Sequence, residues 1–202
     1  AVAGALSPIA MSQLIDIFSW RALFALQIPI GIFVALLLVG AETGKDGIHG
    51  ASGLASQTFD EGREELRPTV QVGNPFLEKV LIEACLELVE SGEFVGLQDL
   101  GAAGLTSATV EAAAKSGRGF ELDVSVVPRR DSGMSPYEVM LSESQERMLV
   151  IATPGQVDSV RRIFGRWDLN VTEIGRVTQD ERVRVRDGDK LETDLPISLL
   201  TD

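Results

Sequence analysis

The stretch QDLGAAGL at 98–105 sets one carboxylate, Asp99, directly before a glycine-rich turn, with FVGLQ at 94–98 leading into it and TSATVEAAAKSG following. FVGLQ is short and apolar enough for a buried strand, and the later segment has helix-forming composition that stops at Gly117. Strand, glycine turn and helix in that order suit a phosphate. Glycines let the backbone approach a ligand, and the first amides of the helix point outward with partial positive charge. A carboxylate at the end of the strand would then hold a magnesium ion beside that phosphate. The same residues also fit a tight turn in which Asp99 caps the loop. A second polar concentration, Ser142, Glu143, Ser144, Gln145 and Glu146, stands directly before Arg147 and the apolar run MLVIA. Such density between two buried elements reads either as a ligand edge or as a solvated loop.

Scarcity narrows the chemistry further. Cys85 is the single cysteine and His49 the single histidine, which excludes intrachain disulfides, Cys/His zinc sites and His-rich metal clusters. A metal would have to be held by carboxylates, and that favours a hard cation such as magnesium. Cys85 falls on the apolar stripe of a helix with no basic neighbour, so it reads as a small core residue rather than a nucleophile. One cysteine also suits a reducing compartment such as the cytosol. The net charge of -12 comes from residues 42–202, since the first 41 residues contain only Asp16 and Arg21 as charges. This acidity argues against nucleic-acid binding. The densest basic run, RVRVR at 182–186, has the two-residue spacing of the wet face of a strand.

Several elements would position these residues. NPFLEKVLIEACLELVESG at 74–92 has Asn74 as N-cap, Pro75 at the first helical position and Gly92 at the end. Its apolar stripe is Leu77, Val80, Leu81, Ala84, Cys85 and Leu88. FELDVSVVP at 120–128 alternates Phe120, Leu122, Val124 and Val126 against polar residues, the period of a half-exposed strand. SPYEVML at 135–141 carries a capping box, Ser135 with Glu138, and TPGQVDSVRRIFGRW at 153–167 repeats it with Thr153 and Gln156. In that second helix Val157, Val160, Ile163 and Phe164 form the buried stripe. VTEIGRV, RVRVR and KLETDL finish the chain as strands, the last two joined at Asp187 and Gly188. Helices alternating with strands predict an α/β sandwich with a mixed sheet.

The first forty residues read differently. ALFALQIPIGIFVALLLVG at 22–40 contains no charge. At about 1.5 Å per residue it nearly crosses a hydrocarbon core of roughly 30 Å, so a transmembrane helix is expected, with Pro29 as a kink and Trp20 and Arg21 at the interface. Membrane association would run through residues 22–40. A secretory signal fits less well, because no basic region precedes the apolar run. Residues 1–38 resemble one stretch of the multidrug proton antiporters of the major facilitator superfamily, where a loop with SWR leads into a helix opening near PIG. Three regions follow: an apolar helical segment at 1–40, a Gly-rich and charged connector at 41–69, and a ligand-binding α/β domain at 70–202.

From about Val39 to Asp202 the motifs TGKDGIHGA, RPTVQVGNPFLEKVLIEACLEL, QDLGAAGLTSA, GMSPYEVMLSESQERML, WDLN with IGRVT, and DLPISLL resemble, in order, phosphoribosylformylglycinamidine synthase, the synthetase of purine biosynthesis. The resemblance implies a C-terminal-type domain of the aminoimidazole ribonucleotide synthetase-like superfamily. It also implies a cytoplasmic ligase that converts formylglycinamide ribonucleotide to the amidine with ATP, magnesium and ammonia from a glutaminase subunit. In that chemistry ATP phosphorylates the amide oxygen and ammonia displaces the phosphate. By the same resemblance Gln71 matches a substrate-binding glutamine, Asp99 a magnesium-binding aspartate, and Glu143, Ser144 and Gln145 a segment that contacts substrate. Lys45 stands where the family commonly has Arg. The family's catalytic histidine belongs to an upstream domain, so His49 is expected to be a loop residue without a chemical role. Without the remaining synthetase domains, the chain is not expected to catalyse the reaction alone.

Overall fold

The structure, a computed structural model, describes residues 34–48 and 72–201. VALLLVG at 34–40 is a run in which every residue is buried, and it forms strand β1 (Val34–Gly40). Side chains alternate across a strand. Ala35, Leu37 and Val39 enter one core, and Leu36 and Leu38 enter the other. β1 is therefore wanted at the middle of a sheet covered on both faces, and that is its place. The order is β2-β4-β1-β5-β3-β6-β7, with β2 Gly96–Asp99, β3 Gly119–Asp123, β4 Arg147–Ala152, β5 Asn170–Thr178, β6 Arg182–Asp187 and β7 Lys190–Pro196. β1 pairs antiparallel with β4 and with β5. The sheet is mixed because β3 and β6 run parallel.

This placement corrects the transmembrane reading of residues 22–40. Residues 34–40 are a sheet strand hydrogen-bonded on both sides, so they do not continue a membrane helix, and residues 22–33 lie outside the described residues. A domain boundary at residue 40 likewise separates β1 from the sheet to which it belongs. The error has a physical source: a strand buried on both faces loses its polar alternation and reads as a continuous apolar run. Among the described residues no helix is long and apolar enough to cross a membrane.

The helices follow their sequence signals closely. α1 (Pro75–Ser91) starts at Asn74, whose side chain accepts from the Leu77 amide at 3.2 Å, and ends on Gly92 in the left-handed conformation. α2 (Gly104–Ser116) stops at Gly117, α3 (Pro136–Leu141) carries the Ser135 and Glu138 capping box, and α4 (Pro154–Arg166) the Thr153 and Gln156 box. A final turn, α5 (Ser198–Thr201), follows β7. Leu81, Ala84 and Leu88 of α1 and Val157, Val160, Ile163 and Phe164 of α4 cover one face of the sheet. Leu105, Ala108 and Ala113 of α2 and Val139 and Met140 of α3 cover the other. The arginines of RVRVR lie on the wet side as expected, Arg182 against Asp194, Arg184 against Asp180 and Arg186 against Glu121.

Two details differ from the expected pattern. The strand expected to run through Val126 ends at Asp123, where the Asp123 carboxylate accepts the Ser125 amide at 2.9 Å and turns the chain into one 3-10 turn at Val124–Val126. Val124 remains buried, but Val126 is exposed. The β6–β7 turn falls one residue later than expected, on Gly188 and Asp189 between the paired Asp187 and Lys190.

The fold makes a direct prediction. Leu37 is 0% exposed, so Leu37→Ala should lower unfolding free energy by about 2–5 kcal/mol, whereas exposed Leu86→Ala should stay within about 0.5 kcal/mol. A chain beginning at residue 42 lacks the central strand and should show no cooperative transition. Urea melts followed by circular dichroism check both.

Candidate functional site

The sheet register brings several loops to one edge. Gly40 at the end of β1 is opposite Arg147 at the start of β4, and Asp99 at the end of β2 is opposite Met148. Segments 41–48, 99–104 and 142–147 thus meet, and 128–131 joins them through the Thr43–Arg129 bridge. Their approach is close enough to require glycine. A Cβ at Gly40, with φ +103, would lie 2.2 Å from the Glu146 carbonyl oxygen, and one at Gly104, with φ +52, would lie 1.9 Å from that of Ser142.

Arg147 is the centre of this meeting point. It is 3% exposed. Its Nε donates to the Ser144 carbonyl at 2.9 Å, Nη1 to Thr43 Oγ1 at 3.0 Å and Nη2 to the Ser142 carbonyl at 2.6 Å. Burial lowers its guanidinium to about 10, while Asp46 pulls the other way, so it stays charged at neutral pH. Asp46 is buried and bonded both to the Ser144 hydroxyl and to Arg130. Ser142 Oγ donates to the Gly44 carbonyl at 2.6 Å, and the Gly44 amide donates to Ser144 Oγ at 2.8 Å. A buried charge needs partners on every side, and this loop cluster supplies them.

The expected site residues separate into two layers. Glu143 and Ser144 are buried in the cluster. Glu143 Oε1 accepts the Ala103 amide at 3.0 Å, so the glycine turn before α2 is already served by a carboxylate of the protein. That amide is therefore not free to meet a phosphate. Asp99 and Gln145 line one cleft of about 560 Å³ between α1 and the ends of β2 and β4, together with Gly73, Gly101 and Glu146. Asp99 is exposed, and one of its oxygens accepts the Gln98 side-chain amide at 3.1 Å. Gln71 and His49 lie outside the described residues; the described chain resumes at Val72, just after Gln71. Among the described residues no three His, Cys, Asp or Glu side chains stand close enough to hold a metal. Cys85 is half-buried in the cleft wall, and burial pushes its thiol up to about 11, as suits an unreactive cysteine.

Thr43, Asp46, Arg130 and Arg147 carry no local sequence signal for this role, because their contacts join residues 84 to 104 positions apart, as Arg130 with Asp46 and Arg147 with Thr43 do, and no local period encodes them. The available signal was indirect: a charged residue at the first position of an otherwise apolar strand, as Arg147 is in β4. Arg147→Met should leave two carbonyls and a hydroxyl without a donor and lower unfolding free energy by about 3–5 kcal/mol. Arg147→Lys, with one ammonium in place of the planar fork, should fall between Met and wild type in the same urea titration.

Comparison with known proteins places this geometry in a family. The chain is 56% identical over 167 residues to the phosphoribosylformylglycinamidine synthase subunit PurL of Thermomicrobium roseum, covering 83% of this chain and 22% of that protein. To the PurL of Acidiphilium cryptum it is 48% identical over 196 residues, 97% of this chain and 27% of that one. That match reaches well into the first 33 residues, and the antiporter likeness finds no support. Among solved structures, T. maritima PurL complexed with FGAR superposes with a TM-score of 0.76 at 38% identity, covering 85% of this chain and 28% of that chain. The same T. maritima protein is also similar in its complex with ATP, with a TM-score of 0.71, and in the PurLQS structure, with a TM-score of 0.70. The chain therefore spans about a quarter of the length of the relatives it matches. Residues 35–188 match the family described as AIR synthase related protein, C-terminal domain, and with its mixed sheet and two helical layers the chain belongs to that family.

Proposed function

We propose that this chain is the part of a phosphoribosylformylglycinamidine synthase that binds formylglycinamide ribonucleotide (FGAR) together with a magnesium ion. The observation that carries this reading is the shared cleft of Gly73, Asp99 and Gln145, in a domain 38% identical to T. maritima PurL complexed with FGAR. Gln71 and Gln145 offer amide groups that both donate and accept, as a ribonucleotide requires. Glu143 and Ser144 belong to the same substrate segment. Their side chains are buried in the loop cluster, so their part is to fix the segment from which Gln145 projects.

Asp99 fits a magnesium ion in one particular sense. Magnesium is commonly held by one or two carboxylates and completes its shell with water and phosphate oxygens. A single exposed carboxylate beside a phosphate-bearing ligand meets that demand. When bound, the ion would offset phosphate charge that this acidic chain does not neutralise.

In the whole enzyme the reaction consumes ATP. The amide oxygen of FGAR takes the γ-phosphoryl group, ammonia from a glutaminase subunit displaces the phosphate, and the amidine, ADP and phosphate leave. The T. maritima complexes with ATP and as PurLQS support a nucleotide and partner subunits for the full-length protein. Within it this chain binds and orients; none of its residues is given a covalent or proton-transfer role, and the remaining domains are needed for turnover. Such an enzyme would act in the cytoplasm.

Calorimetric titration of the chain with FGAR, with and without magnesium, tests the reading. Heat is expected at submillimolar to millimolar FGAR and should strengthen with magnesium. Asp99→Asn should weaken the magnesium-supported binding by about ten- to a hundredfold and leave the melting temperature unchanged, because the side chain is exposed. No heat at millimolar FGAR with magnesium sinks the proposal.

A further inference from the structure

Four non-glycine residues among those described have positive φ: Ala103, Glu146, Asp168 and Glu181. Such a backbone is uncommon for residues other than glycine and marks places where the surroundings hold the chain. Glu146, with φ 54, is the one at which three elements cross. Its carbonyl accepts the Ala41 amide at 2.9 Å at the end of β1, and its own position immediately precedes β4. Its carboxylate reaches a third element: Oε1 accepts the Asn74 amide at 2.7 Å. A Cβ at Gly73 would lie 3.3 Å from that same oxygen, so the backbone before α1 wraps closely around the carboxylate.

Asn74 then passes the constraint into the helix, because its side chain caps the Leu77 amide. A negative charge at this end also suits the partial positive charge of the α1 N-terminus. Glu146 lines the 560 Å³ cleft with Asp99 and Gln145, and also a neighbouring cavity of about 330 Å³ with Gly40, Asn74, Arg130 and Asp168. It lines both.

We infer that Glu146 is a positioning residue: its left-handed backbone and carboxylate hold Gly73 and Asn74, before α1, against the start of β4, which sets the width of the ligand cleft lined by Asp99 and Gln145. The ligand half of this inference rests on the function proposed above, and the geometric half does not.

Glu146→Gly separates the two. Glycine keeps the positive φ without strain and removes the side chain with its carboxylate, so relief of the left-handed backbone offsets the lost Asn74 bond and the urea midpoint should change little. In nitrogen-15 spectra of the full chain the Asn74 amide proton should move upfield and exchange roughly tenfold faster, with the shift changes concentrated at residues 72–78. FGAR affinity should fall roughly tenfold, or about 1.4 kcal/mol. Glu146→Gln, whose amide oxygen accepts the same bond, should restore the Asn74 signal and most of the affinity. An Asn74 amide unaltered in Glu146→Gly overturns the inference, and so does undiminished FGAR binding by that variant when the wild type binds. If the wild type takes no FGAR, the proposed function fails, and the Asn74 amide alone decides the positioning role.

Discussion

Between Val34 and Gly40 the backbone is hydrogen-bonded on both sides, to β4 and to β5, while its side chains are divided between two cores. Each fully buried leucine there contributes about 1.5–3 kcal/mol relative to exposure, and each belongs to one of the two cores that the helices share with the sheet. The rest of the molecule depends on that strand. α1 and α4 share the core on one face of the sheet and α2 and α3 the core on the other, and the register of β1 against β4 decides which loop ends meet.

The register then imposes a second constraint. Setting Gly40 opposite Arg147 brings a guanidinium into a space where water is largely excluded. Such a charge is tolerated only when its hydrogen bonds are met, and here they are met by Thr43, Ser142 and Ser144 from two different loops. Asp46 and Arg130 extend the cluster to a third loop. The polar cluster thus fixes the loops in one arrangement, and the two close glycines, Gly40 and Gly104, allow the backbones to reach it.

This division explains why the polar segment at 142–146 has two characters. Ser142, Glu143 and Ser144 turn inward and hold loops, whereas Gln145 and Glu146 border the open cleft with Asp99. A cleft built this way is shaped by buried residues that do not line it. Positioned carboxylates serve two purposes at the same edge: Glu143 occupies the amide before α2 and Glu146 the amide before α1.

By itself the sequence determined the local elements. Capping boxes at Ser135 and Thr153, Asn74 before Pro75, and glycines after α1 and α2 are local signals, and each ended or began a helix where it was expected. The alternating face of RVRVR was equally readable, and the ordered motifs pointed to the family now found to match residues 35–188. Tertiary structure alone decided the rest. VALLLV is equally apolar as a membrane helix or as a strand covered on both faces, and only pairing with β4 and β5 distinguishes the two. The strand after Phe120 stopped early because the Asp123 side chain captured the Ser125 amide. The cluster around Arg147 and the crossing at Glu146 join residues far apart in the chain, so neither period nor composition could register them. Which polar residues turn inward and which face the cleft follows from where the sheet brings its loops together.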